Sequence, residues 1–246
     1  MTSELKMKKL FCMLALQMCV GSMAQAAVEQ GSEKKFAGTT VLSLDKLMPG
    51  REGGLPAQIA YDAKLSTVLN KTVREEGPIL TTRLLSTLPD RKKNLQFLID
   101  FEQGPSNDPM FVVVAGNGKK VIGTINAEQL IVPGDGFFYA VSRMNRNYVE
   151  YRKFSLRGDK LAEVKQPFLY AGLDSTALRP LTIFSGKDGG EVVAAIAKGE
   201  RLTVVLGEKN YLLIKTRENL LGWLKLDPIV ATREKMAIEG VYFDGD

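Results

Sequence analysis

The sequence predicts a mainly β protein: an N-terminal antiparallel β-meander or sandwich followed by a small β-barrel. Three observations carry this. Short apolar stretches recur about every ten residues from Ile79 to Val164. Turn-forming residues separate them, with Asn117-Gly118 the strongest hairpin signal. Five more short apolar stretches, joined by Gly- or Asn-bearing connections, fill residues 178–230.

The first residues read as an export signal. Met7-Lys8-Lys9 supplies positive charge, Leu10–Val20 is a mostly apolar stretch, and Ala24-Gln25-Ala26 sets small residues where a signal peptidase reads. Residues 1–26 therefore read as a cleavable signal peptide, and the mature chain is expected in the periplasm or outside the cell. A retained anchor is the rival reading. A span needs about 20 predominantly apolar residues, and Gln17, Gly21, Ser22 and Gln25 interrupt the run. No span is expected after cleavage. Cys19 lacks the small-residue context of a lipid attachment site.

That leader carries both cysteines, Cys12 and Cys19. It also carries Lys6, Lys8 and Lys9 against Glu4, so the formal charge falls from +5 to +3 when it is removed. The mature chain then has no thiol, no disulfide and no cysteine metal site. Its basic residues are scattered, without the concentrated stripe that nucleic-acid binding requires. The chain has no histidine, which removes Ser-His-Asp and Cys-His catalysis and the usual zinc sites. Carboxylate pairs, Ser-Lys dyads and oxygen-ligated calcium stay open. No cofactor and no enzymatic activity are expected.

Residues 27–40 are small and polar and read as a flexible mature N-terminus. Val41–Leu44 reads as a short strand or turn before a Pro- and Gly-rich loop. Tyr61, Leu65, Val68, Leu69 and Val73 fit helical spacing, so an amphipathic helix is expected over 58–73. Two short strands are the alternative there, because Thr67, Val68, Thr72 and Val73 are β-branched. Strands are then expected over Ile79–Leu88, Leu95–Phe101, Phe111–Ala115, Lys120–Ile125, Gly136–Ser142, Tyr148–Leu156 and Lys160–Val164. At Asn117-Gly118 both turn positions are expected at positive φ. No motif repeats at a 40–50 residue period, which argues against a propeller. This first domain is expected to cover 27–172 and the second 173–246, joined through Tyr170-Ala171-Gly172-Leu173.

In the second domain Leu181–Gly186, Glu191–Ile196, Arg201–Leu206, Tyr211–Thr216 and Leu220–Leu226 are the expected strands of a closed barrel with little free edge. Ser185-Gly186, Val192-Val193, Lys198-Gly199 and Gly222-Trp223-Leu224 stand at spacings that resemble the bacterial SH3 (SH3b) family. The resemblance covers about a fifth of the chain. It implies an SH3-like barrel that binds or spaces, in an exported protein, with a cell-wall peptide or peptidoglycan as one class of ligand. Thr182-Ile183-Phe184 departs from the family's Asn-aliphatic-Arg, and Ala194 replaces a common Gly.

Trp223, Tyr211 and Phe184 are the candidate lining of a ligand groove, against plain packing. The aromatic group Phe137, Phe138, Tyr139, Tyr148, Tyr151 and Phe154 is read as core and cross-strand pairs before a ligand platform. Gly186–Glu191 lacks the ligand order of a calcium or phosphate loop and reads as a mobile hairpin tip. Asp100 and Glu102 share a strand face and are read as exposed polarity before a carboxylate pair. The expected function is an exported, non-catalytic binding or scaffolding protein for a cell-envelope component or peptide. An accessory or inhibitory subunit of an envelope enzyme or secretion assembly is the second reading, and a carboxylate-based hydrolase the third.

Overall fold

The structure is a computed structural model and describes residues 38–49, 51, 54–76, 79–104, 108–226 and 235–243. The expected signal peptide, the residue Cys19, most of the polar segment 27–40 and the tail 244–246 lie outside the described residues. Thr40–Asp246 forms one compact unit, in which three sheets enclose two main cores.

The strands run β1 (Thr40–Ser43), β2 (Gln58–Tyr61), β3 (Ser66–Glu76), β4 (Ile79–Thr87), β5 (Phe97–Gln103), β6 (Pro109–Ala115) and β7 (Val121–Asn126). They continue with β8 (Gln129–Val132), β9 (Phe137–Ser142), β10 (Glu150–Arg157), β11 (Lys160–Glu163), β12 (Leu169–Thr176) and β13 (Leu181–Gly186). The last four are β14 (Gly189–Ile196), β15 (Arg201–Glu208), β16 (Tyr211–Thr216) and β17 (Leu221–Lys225). A single 3-10 turn, Asp45–Leu47, is the only helical element among the described residues.

The expected helix over 58–73 is corrected: β2 and β3 occupy it. The β-branched residues Thr67, Val68, Thr72 and Val73 suit a pleated strand better than a helix. Between the strands Asp62 accepts from the Lys64 N–H at 2.8 Å, a side-chain turn that stops a helix from propagating.

β3 to β7 form a five-stranded antiparallel meander. It is inserted between β2 and β8, which pair in parallel, Ile59 opposite Leu130 and Tyr61 opposite Val132. The first six-stranded sheet is therefore mixed, in the order β1-β2-β8-β9-β10-β11. The two sheets face one another across the first core. Ile59, Leu130, Phe138 and Phe154 come from one side, and Leu85, Ile99, Phe101 and Phe111 from the other. Phe101 and Phe111 are register partners whose rings meet edge to face at 5.4 Å, worth about 1 kcal/mol beyond burial.

At the Asn117-Gly118 turn only Gly118 takes positive φ, at 74°, where both residues were expected to. The Gly118 N–H donates to Ala115 O, and Asn117 Oδ1 caps the Lys119 N–H. The extra residue is absorbed as a register shift between Val113 and Val114.

The second six-stranded sheet has the order β12-β15-β16-β17-β13-β14. Its five predicted strands form within a few residues of their expected bounds. The expected closed barrel does not form, and the sheet ends at β12 and β14. The expected link Tyr170–Leu173 is itself part of β12. The C-terminal segment meets the end of β12: Ile238 bridges Ala177, just past the strand, and Glu239 N–H donates to Thr176 O.

Tyr148 stands just ahead of β10 of the first sheet. This residue belongs to the second core and lies against Gly207 of β15, where a Cβ would stand 2.0 Å from its hydroxyl. Burial, reinforced by Glu150, pushes the Tyr148 phenol up to about 12. The folded protein then holds a proton that the unfolded chain releases near pH 10, so stability falls as pH rises from 10 to about 12. Urea unfolding at pH 8 and pH 11.5 tests this. Tyr148 is expected to contribute on the order of 2 kcal/mol to the wild-type loss over that interval, so Tyr148→Phe should lose less by about that amount. An equal loss in both would reject the assignment.

Candidate functional site

Strand pairing assembles one continuous row across the second sheet. Tyr170 on β12 pairs with Leu206 on β15, Leu206 with Leu213 on β16, and Leu213 with Trp223 on β17. Trp223 pairs with Phe184 on β13, and Phe184 with Val192 on β14. Directly opposed residues project to the same side of a sheet, so all six lie on one face. The alternating neighbours Leu212, Ile214 and Ile183 are fully buried in the second core on the other face. The row is thus the outer face of a sheet whose inner face is already packed. Its ends stand open, with Tyr170 61% and Val192 60% exposed, and its middle is half-buried.

Phe184 and Trp223 are brought together by this register. Tyr211 lies on the same face next to the row, opposite Lys225 and Glu208. The three residues singled out by sequence do share a surface. The residues the sequence missed are Tyr170, Leu206, Leu213 and Val192. Strand order, which places β13 beside β17 rather than β15, is what aligns them, and no local pattern encodes that order.

The tip of the β13–β14 hairpin folds over this surface. The Lys187 ammonium sits 4.6 Å from the Trp223 ring centroid and 5.6 Å from that of Phe168, and it pairs with Glu208. Asp188 accepts from the Tyr211 hydroxyl at 2.7 Å, and that bond holds the phenolic proton above its ordinary range. The expected mobile tip is therefore tied at two successive residues to the β15–β16 hairpin. The tie places a cation against the indole face, a favourable contact of about 1 kcal/mol or less at an exposed site.

Beyond the row, β12, β15 and β16 form a polar recess of about 630 Å3. Asp174, Thr203, Arg201, Lys215 and Arg217 line it. Asp174 accepts from the Thr203 hydroxyl at 2.6 Å. An extended ligand lying along the outer face would meet apolar and aromatic groups in the middle and charged groups at this side.

The other candidates resolve into packing. Phe138 and Phe154 are in the first core and Tyr148 in the second, while Phe137, Tyr139 and Tyr151 face outward on the first sheet. Lys153 covers Phe137 at 3.4 Å. Tyr139 donates to Asp135 at 2.7 Å, and burial together with that carboxylate pushes its phenol up to about 12.

Asp100 is not exposed polarity, as expected from sequence. It is 5% exposed and takes a bidentate pair from Arg83 at 2.8 and 2.9 Å. Glu102 accepts from the Thr81 hydroxyl at 2.7 Å. Each carboxylate is engaged with its own neighbour on β4. Among the described residues no group of three or more acidic side chains converges to hold a metal ion, and no helix is long and apolar enough to cross a membrane.

Comparison with known proteins gives no match: no family model, no curated protein and no solved structure matches the chain.

Removing one partner of a buried, bidentate pair leaves the other charge unpaired. Arg83→Ala is expected to cost about 3 kcal/mol or more in urea unfolding, with Asp100→Asn costing less because the amide keeps one acceptor. A loss within 0.5 kcal/mol for Arg83→Ala, the size of an ordinary surface change, would contradict the buried pairing.

Proposed function

We propose that the chain is an exported, non-catalytic binding protein whose second sheet, an SH3-like module, presents its outer face to a cell-envelope component or peptide. One observation carries this reading: the cross-strand row Tyr170–Leu206–Leu213–Trp223–Phe184–Val192 lies on the face opposite a core that is already filled. A sheet face with no packing role normally carries polar residues. Here tryptophan, phenylalanine and tyrosine stand on it, the residue types that dominate binding hot spots. The resemblance of 178–230 to bacterial SH3 modules and the leader over 1–26 point to a ligand in the cell envelope, with peptidoglycan as the first one to test.

The chemistry on the page favours binding over turnover. The chain has no histidine and, past residue 19, no cysteine. The one pair of neighbouring carboxylates singled out by sequence is committed to Arg83 and Thr81.

Retention of the purified protein on insoluble peptidoglycan tests the reading. Wild type is expected in the pellet fraction. Tyr170→Ser and Phe184→Ala are expected to weaken retention at least about tenfold, a hot-spot loss of 1.4 kcal/mol or more. Absence of wild-type retention beside a retained control binder would reject the wall-binding version. The second reading, an accessory or inhibitory subunit of an envelope enzyme or secretion assembly, is favoured by the apolar character of the same row. It would show as one stoichiometric protein partner that co-purifies with wild type and is lost with Tyr170→Ser.

A further inference from the structure

The three sheets have six edge strands, and five of them are short, charged or covered. β1 and β11 span four residues each. β3 bears Lys71 and Arg74 as exposed charges. β7 lies against β11, where a Cβ on Gly123 would meet Leu161 at 2.7 Å. β12 is capped at its Ser175–Thr176 end by the C-terminal segment, through the Glu239 N–H to Thr176 O and the Ser175 hydroxyl to Glu239 O.

β14 is neither short nor covered among the described residues, although its register against β13 shifts on both sides of Val192. It runs eight residues, GGEVVAAI, with Glu191 as its one charge and no proline. Among the described residues its backbone bonds only within the sheet, apart from the Glu191 N–H, which donates to Ser185 Oγ. Natural proteins blunt long edges of this kind, because an unpaired row of N–H and C=O groups recruits another strand.

We infer that β14 pairs antiparallel with β14 of a second copy across a two-fold axis, joining two six-stranded sheets edge to edge. Charge complementarity selects this occupant. Glu191 stands at one end of the strand and Lys198 just past the other, and both are exposed. Antiparallel self-pairing brings Glu191 of each copy toward the Lys198 end of its partner, and symmetry makes the contact twice. The residues between are apolar, and Ala194 and Ala195 are small enough for close approach. Val192, exposed in the single chain, lies on the strand that becomes covered. A two-fold axis perpendicular to the sheet keeps both outer faces on one side, so the two aromatic rows meet at their Val192 ends. A repetitive polymer would then engage both rows, which raises overall affinity without any new contact.

Sedimentation velocity of the purified protein over micromolar concentrations tests the pairing. Wild type is expected to sediment as a dimer. Glu191→Lys or Lys198→Glu alone sets like charges together and is expected to raise the dimer Kd roughly tenfold. The double swap, Glu191→Lys with Lys198→Glu, is expected to restore it. Both side chains are exposed, so the fold tolerates the changes. A monomer at every concentration, a dimer indifferent to the single swaps, or a double swap that fails to restore pairing would each overturn the inference. The outcome is separate from the ligand reading: a dimer that is not retained on peptidoglycan upholds this inference and rejects that one.

Discussion

A buried carboxylate anchors the loop from which Arg143 reaches the C-terminal segment. Glu128, between β7 and β8, is fully buried. Its two oxygens accept from the Ser142 hydroxyl, the Arg143 and Met144 backbone N–H groups and the Arg51 guanidinium, at 2.8 to 3.3 Å. A carboxyl group at this depth is tolerable only with its acceptor sites filled. The bonds therefore fix the loop that leaves β9, and with it the direction of Arg143. That side chain reaches across to the carbonyl oxygens of Tyr242 and Gly240 and stacks over the Tyr242 ring at 4.3 Å. The C-terminal segment thus held is the one that meets the end of β12.

The second sheet is open, with β12 and β14 at its two ends. An open sheet keeps an outer face and one free edge, where a closed barrel would have hidden its edges. The aromatic row and the bare β14 edge are two consequences of one topological fact. Gly207 is packed under Tyr148, which joins the second core from the loop ahead of β10.

Local signals in the sequence were sufficient for most of the strands. Alternating apolar residues placed β4 to β7, β9 to β11 and β13 to β17, because a period of two is encoded within a few residues. Three things were not local. The parallel pairing of β2 with β8 spans the whole meander, and the four residues of β8 are too few to show a period. The region 58–73 satisfied both a helical and a strand pattern, and β-branching decided it once tertiary partners were present. Asp100 reads as surface polarity until Arg83, on the neighbouring strand, supplies its counter-charge. The candidate site was half legible. Trp223, Tyr211 and Phe184 drew notice by residue type, but Tyr170, Leu206, Leu213 and Val192 joined them only through strand order.

A binding surface on the second sheet requires the outer row to face solvent while the inner face is packed, and Trp223, the only tryptophan in the chain, reports on it directly. Collisional quenching of its fluorescence by acrylamide is the decisive measurement. A half-buried indole under Lys187 predicts a quenching constant clearly above that of a core tryptophan and below that of a free indole. It should rise further when Lys187→Ala removes the covering ammonium. Quenching as slight as for a fully enclosed tryptophan, unchanged by Lys187→Ala, would place Trp223 inside the protein and contradict the outer face as a binding surface.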